Sequence, residues 1–233
     1  GSLNNKKLIF TKNIVFKKVS YSYDSSRQIL NNLDISINKG DHVGIYGETG
    51  SGKSTFLDLL MGLIPPNSGQ ILIDDVDIYK DKYQASWTSM ISHVPQIIFL
   101  KEGTIAENIA FGETANIIDY ELINKSAKAA NIYEFINKSD EGLKTHVGER
   151  GIRLSGGQRQ RIAIARALYK KRNILVFDEA TSALDEATEK KIIDKILNTH
   201  KSLTIIMVTH RVNSLKNCNR IFRITSKGYV REE

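Results

Sequence analysis

The sequence predicts an α/β fold built on a mostly parallel sheet, and two observations carry that expectation. Apolar runs of strand length, "HVGIYG" (42–47), "NILVF" (173–177) and "LTIIMV" (203–208), alternate with longer stretches of helical spacing. Polar residues follow these runs closely: Gly47 ends the first, Asp178 and Glu179 follow the second, His210 lies just past the third, and Gln96 follows "MISHVP". A parallel sheet puts such residues in its ligand crevice, outside the carboxyl ends of the strands.

Taken in order, "IVFKKVSYSY" (14–23) and "ILNNLDISIN" (29–38) show partial alternation and read as antiparallel strands, an N-terminal antiparallel β subdomain. "HVGIYG" leads through a glycine-rich loop into the helix "KSTFLDLLMGLI" (53–64). That helix is apolar almost all round, hence buried, and Pro65-Pro66 is expected to end it. "GQILIDDVDI" (69–78) reads as a strand and turn. From about Gln96 to Leu154 the pattern is helical, including "TIAENIAFG" (104–112) and "DYELINKSAKAANIYEFI" (119–136). An inserted helical subdomain is therefore expected at approximately 97–168. "NILVFDEA" and "LTIIMVTH" return to buried strands, with the helical "EATEKKIIDKILNTH" (186–200) between them.

A chain of 233 residues suits one large domain or a core with an insertion, and 41% hydrophobic with 25% charged residues describes an ordinary soluble globular protein. No apolar run approaches the ~18 residues of a membrane span. The single Cys218 excludes an internal disulfide framework. The net charge of +7 is scattered rather than massed, which favours a solvated surface over a nucleic-acid partner or an anionic membrane face. Residues 1–7, beginning Gly1-Ser2, read as a tag scar and linker, and 8–233 as the domain, a piece of something longer.

"GETGSGKST" (47–55) matches the G-x-x-x-x-G-K-[ST] phosphate loop in full. Gly47, Gly50 and Gly52 let the backbone curl, so that the amides of Glu48, Thr49 and Ser51 through Thr55 face a phosphate. Lys53 adds a point charge toward the β- and γ-phosphates and the Ser54 hydroxyl is a ligand for Mg²⁺. In "ILVFDEATSALD" Asp178 is the second Mg²⁺ residue, and Glu179 is placed to orient or deprotonate the attacking water. These features place the chain among P-loop NTPases, acting on a nucleoside triphosphate with Mg²⁺.

A second glycine-rich helix start, "LSGGQ" (154–158), lies about a hundred residues beyond the first. Here the sequence resembles the nucleotide-binding domain of ABC transporters over nearly its whole length. In that family the pentapeptide Leu154, Ser155, Gly156, Gly157 and Gln158 is the signature motif. Two domains pack head to tail, so that the phosphate loop of one and the signature of the other grip the same ATP. The resemblance thus implies an ATP-dependent homodimer in which the two anion sites of one chain serve two ATP molecules. Ser155 and the amides of Gly156 and Gly157, at a positive helix end, suit a γ-phosphate arriving from outside.

The resemblance also assigns single residues. Tyr23 stands where the family stacks an aromatic on adenine; Tyr21 competes by alternation, and Asp24 occupies a position where proline is frequent. Gln96 matches the glutamine that contacts Mg²⁺, His210 the histidine that contacts the γ-phosphate, and Asp185 the loop that communicates between the two sites. "THVGERG" (145–151) and "TIAENIAFG" resemble exporter-type cassettes, implying a transmembrane domain as partner and a place on the cytoplasmic face of the membrane. "SWTSMISHVPQIIFL" (86–100) faintly resembles flippases for lipids or lipid-linked oligosaccharides. The rival is a soluble ATPase of the same class acting on nucleic acid or ribosomes. DNA-repair members separate the two motifs by long coiled coils, and the short interval here has no sustained heptads; no nucleic acid is expected.

Overall fold

The structure, a computed structural model, describes residues 7–24, 27–200 and 202–233, so all but the last residue of the expected 1–7 linker lies outside it. The chain divides into two units, Gly1–Ile91 with Ser202–Glu233, and Ser92–Lys201.

The first unit opens with β1 (Asn13–Ser22) and β2 (Gln28–Asn38), followed by β3 (His42–Gly47), α1 (Lys53–Leu60), β4 (Ser68–Ile73), β5 (Val76–Asp77) and α2 (Gln84–Thr88). β1 pairs antiparallel with β2 on one side and β4 on the other, and β4 with β5, giving the order β2-β1-β4-β5. Inward-facing Ile14, Phe16, Leu33, Ile35, Ile37, Ile71 and Ile73 are buried, each contributing roughly 1.5–3 kcal/mol of transfer free energy. Phe16 stacks on Phe56 of α1 with ring centroids 5.0 Å apart, fixing the helix against this sheet.

Helix α1 ends at Leu60, before the prolines expected to stop it. Gly62 takes a left-handed φ of 74°, and the Gly62 and Leu63 amides close the turn on Leu59 and Asp58 carbonyls. Trp87 of α2, fully buried, donates its Nε1 proton to the Leu60 carbonyl across 2.6 Å.

The second unit begins around β6 (Ile91–Val94), then α3 (Ile105–Ile109), α4 (Tyr120–Ala129), α5 (Tyr133–Lys138), α6 (Gly156–Tyr169), β7 (Ile174–Asp178) and α7 (Glu186–Thr199). β6 and β7 are neighbours in a sheet. The stretch 119–136, read as one helical run, breaks where Asn131 adopts φ 55°. Thr104 starts α3 with a capping box: its hydroxyl accepts from the Glu107 amide while the Glu107 carboxylate accepts from the Thr104 amide. The buried core includes Ile123, Ala127, Ile162, Ile164, Val176, Phe177, Ile192, Ile193 and Ile196. This unit encloses the segment 97–168 and continues past it through β7 and α7.

The chain then re-enters the first unit as β8 (Thr204–Val208), β9 (Arg220–Ile224) and β10 (Val230–Glu232). β3 lies between β8 and β9, parallel to both, and β10 adds antiparallel to β9. Among the described residues no helix is long and apolar enough to cross a membrane.

Candidate functional site

In the first unit the loop Gly47–Gly52 joins β3 to α1. A Cβ on Gly47 would lie 2.4 Å from the Ile224 carbonyl oxygen and 2.7 Å from Ser51 Oγ, so only glycine lets the chain leave the sheet here. Gly52 caps α1 with φ 102°, and a Cβ there would meet the side chains of Leu30 and Ile29 at about 3 Å. The Lys53 ammonium is 6% exposed and donates to the carbonyl oxygens of Gly47 and Glu48, both at 2.9 Å. Lysine thereby closes the loop on itself and brings a positive charge to the amides at the start of α1, where the helix dipole is also positive. Glu48, Thr49, Gly50 and Ser54 are exposed, Ser51 and Thr55 buried. Among the described residues the buried Ser51 hydroxyl has no hydrogen-bond partner, a polar group left for a ligand or water to satisfy.

Tyr23 reaches this loop: its hydroxyl lies 3.2 Å from Thr55 Oγ1, while the residue remains 65% exposed. Tyr21 meets the Tyr23 ring edge to face at 5.1 Å and is only partly exposed. The open ring face belongs to Tyr23. His210, exposed, sits two residues past Val208, whose partner Ile45 is two residues before Gly47. Register alone puts histidine and phosphate loop at the same edge of the β3–β8 pair, and the Thr209 amide fixes it by donating to Ile45 O at 3.1 Å.

In the second unit Asp178 ends β7 and Glu179 follows with φ 49°. A left-handed non-glycine residue costs on the order of 1–3 kcal/mol and persists only where its surroundings hold it. The Gln96 Nε2 group donates to Glu179 Oε2 at 3.0 Å, bringing together two residues separated by most of the unit in sequence. Ser155 caps α6: its Oγ accepts from the Gln158 amide at 3.2 Å, and Gln158 Oε1 accepts from the Ser155 amide at 2.8 Å. Gln158 is thus bound up in the cap, and Leu154 is buried. The cap uses a lone pair of the Ser155 hydroxyl, leaving its proton to donate, and the Gly156 and Gly157 amides have no intrahelical acceptor. Neither glycine has a positive φ, and a Cβ on either would come no closer than 3.5 Å to its neighbours. Among the described residues no close contact demands glycine at these two positions. Asp185 caps α7 by accepting from the Thr188 amide at 2.9 Å, and hydrogen bonds from Thr188 hold its carboxyl below the usual range.

The model of the ABC transporter family matches residues 30–182. The chain belongs to this family. It is an ABC transporter ATP-binding domain, of a family that hydrolyses ATP. It is 42% identical to the alpha-hemolysin translocation ATP-binding protein HlyB of Escherichia coli O157:H7, over 94% of this chain and 31% of that protein. It is 41% identical to human ATP-binding cassette sub-family B member 5, over 95% of this chain and 18% of that one. A bacterial Atm1-family ABC exporter with ATP bound superimposes with a TM-score of 0.89 at 36% identity, covering 99% of this chain and 40% of the exporter. The expected architecture therefore holds: a P-loop NTPase core with a mostly parallel sheet and an N-terminal antiparallel sheet. The chain spans well under half the length of these relatives.

Two polar residues that hold this ABC domain together escaped sequence reading. Gln160, 3% exposed, accepts from the Ala183 amide, and Arg166 donates to the Asn108 and Phe99 carbonyls at 2.7 and 2.9 Å. The signal for Gln160 was its place on the apolar stripe of α6 with Ala163, Ile164 and Ala167.

Proposed function

We propose that this chain is the ATP-hydrolysing motor of an exporter-type ABC transporter, working as a head-to-tail pair with two ATP molecules held between phosphate loop and signature. One observation carries the reading. A complete phosphate loop coexists with a second helix start that leaves the Ser155 hydroxyl proton and the Gly156 and Gly157 amides to donate, at a helix end that suits an anion. The ATP bound in the Atm1-family exporter supports the same ligand here.

In this reading Lys53 and the amides of Gly50 through Thr55 hold the β- and γ-phosphates, and Tyr23 offers its open ring to the adenine. Glu179 takes the proton of the attacking water while Gln96 holds its carboxylate in place. His210 contacts the γ-phosphate, and Ser155 with the Gly156 and Gly157 amides of the second chain closes over it. Asp185 lies at the contact between copies. Hydroxyl, carboxylate and amide oxygens at Ser54, Asp178 and Gln96 are hard donors that suit Mg²⁺, which needs few protein ligands when phosphates supply the rest. Bound there, Mg²⁺ would neutralise charge on the phosphates.

The membrane domain would dock on the second unit, where Ile97, Phe99 and Ile152 are 86%, 61% and 79% exposed. A Cβ on Gly151 would fall 2.9 Å from Leu100 Cδ1, so the stretches bearing Phe99 and Ile152 are adjacent. In this reading the domain lies on the cytoplasmic face of the membrane. Light scattering of Glu179→Gln with and without ATP-Mg²⁺ tests the reading. The expected result is an ATP-dependent doubling of mass that is abolished by adding Ser155→Arg. A doubling unaffected by Ser155→Arg would remove the signature from the interface.

A further inference from the structure

We propose that Gln160 is a positioning residue for ATP hydrolysis, locking the first turns of α6 to the turn that begins at Glu179; this rests on the reading of Glu179 as the general base. A side-chain amide on an apolar stripe is costly unless its polar atoms are matched. Gln160 Oε1 accepts from the Ala183 amide at 3.1 Å, and Nε2 faces Ser182 Oγ at 3.4 Å. The backbone donor fixes which end of the amide points where.

The turn so gripped has little freedom. The Ser182 amide donates to the Glu179 carbonyl at 3.2 Å, and the Leu184 amide to that of Thr181 at 3.0 Å. On its other flank the buried Thr181 hydroxyl donates to the buried Glu189 carboxylate of α7 at 2.7 Å. Gln160 from α6 and Glu189 from α7 therefore clamp the turn from both sides, and Glu179 holds its left-handed backbone at the point where the turn leaves β7. The hydrogens of Gly156 and Gly157 face the same turn, because a Cβ on either would meet Ala183 at 3.5 Å. Ser155 lies about 7.5 Å along the helix axis from Gln160. A rigid helix start bonded to a rigid turn makes Ser155 and Glu179 parts of one body. Docking of the signature and alignment of the base then become one event, although Gln160 is itself buried.

The test is a double-mutant cycle on ATP turnover in the whole protein with Gln160→Met and Glu179→Gln. Methionine keeps the volume and removes both polar atoms. Misalignment of a catalytic group by about 1 Å costs on the order of 100-fold, so kcat should fall 10- to 100-fold with the KM for ATP unchanged. In the Glu179→Gln background the same change should lower the residual rate by less than about twofold, because residues acting as a unit are not additive. Equal losses in both backgrounds, an unchanged kcat in the single variant, or a rise in KM matching the fall in kcat would each overturn the proposal. If the methionine variant does not fold, Gln160→Ala, which also removes both polar atoms and suits a helix, takes its place with the same outcomes. Turnover by Glu179→Gln at the parent rate would instead remove the assignment of the base on which the proposal stands.

Discussion

Gln96 and Glu179 meet through one hydrogen bond of 3.0 Å, amide to carboxylate, at the ends of two segments that neighbouring strands of the second unit present together. A hydrogen bond to a charged group contributes about 1.5–3 kcal/mol, and 1.4 kcal/mol is a tenfold change in rate. Gln96→Leu should therefore lower kcat by about 10- to 100-fold while the affinity for ATP in the absence of hydrolysis changes little. Steady-state turnover beside fluorescent-nucleotide titration separates the two. A large loss of affinity with kcat preserved would show that Gln96 serves the binding of Mg²⁺ and nucleotide more than the hold on Glu179.

Lys53 supports a different kind of prediction, because it closes the loop and, in the proposed reading, also holds the ligand. Its two bonds to the Gly47 and Glu48 carbonyls close the loop that Ser51 also ties back to Glu48. Lys53→Met removes both donors and the charge, so ATP binding should weaken by at least about tenfold and turnover should fall below detection. Lys53→Arg should not rescue it: a planar, bulkier fork cannot fill a site 6% exposed that is shaped for a compact ammonium. Calorimetric titration with a non-hydrolysable ATP analogue checks both variants.

How much of this was legible beforehand differs by the range of the interaction. β3, β7 and β8 were readable because their apolar runs are uninterrupted, and the loop and α6 because glycines and caps act within a few residues. The end of α1 was misplaced because Gly62 terminates a helix as firmly as proline, and the break at Asn131 required a left-handed residue that periodicity does not register. Gln158 and Asp185 were legible as family positions but not as helix caps that also fix local backbone. Gln160 was readable only as a polar residue on the apolar stripe of α6; its partners Ser182 and Ala183 lie more than twenty residues away and only the folded turn brings them to it.

Arg166 illustrates the energetic side of such buried partners. It donates to the Asn108 carbonyl, the Asn108 side chain and the Phe99 carbonyl, and stacks over the Phe111 ring at 4.9 Å. Burial pushes its guanidinium down to about 10, so it stays charged at neutral pH. Arg166→Met would strip the carbonyl of fully buried Asn108 of its guanidinium donor, leave its side-chain oxygen with the Lys101 amide alone, and release the Phe99 backbone. The expected cost is about 3 kcal/mol, or roughly 6–12 °C in Tm for a domain of this size. Arg166→Lys should recover only part of it, lacking the fork that spans three acceptors. Thermal unfolding of both variants decides, and a Tm within 2 °C of the parent would show that water replaces the guanidinium at about no cost.

Asp74 gives a pH dependence whose sign follows from its partners. Burial disfavours its charge, but the Thr11 hydroxyl and the amides of Asn13, Thr11 and Lys12 all donate to the carboxylate, and together they hold it below the usual range. These bonds tie the segment entering β1 to the turn between β4 and β5. A carboxyl with a lowered folded pKa contributes stability that is fully present above its unfolded value and disappears as pH falls through the folded one. Asp74→Ala should thus destabilise the domain by about 1–2 kcal/mol at neutral pH. The difference from the parent should stay flat down to about pH 5 and shrink below about pH 4 as the parent carboxyl protonates. Urea titrations of both proteins at a series of pH values measure it. A difference that grew on acidification would mean that the protonated acid is the better partner for the Thr11–Asn13 segment.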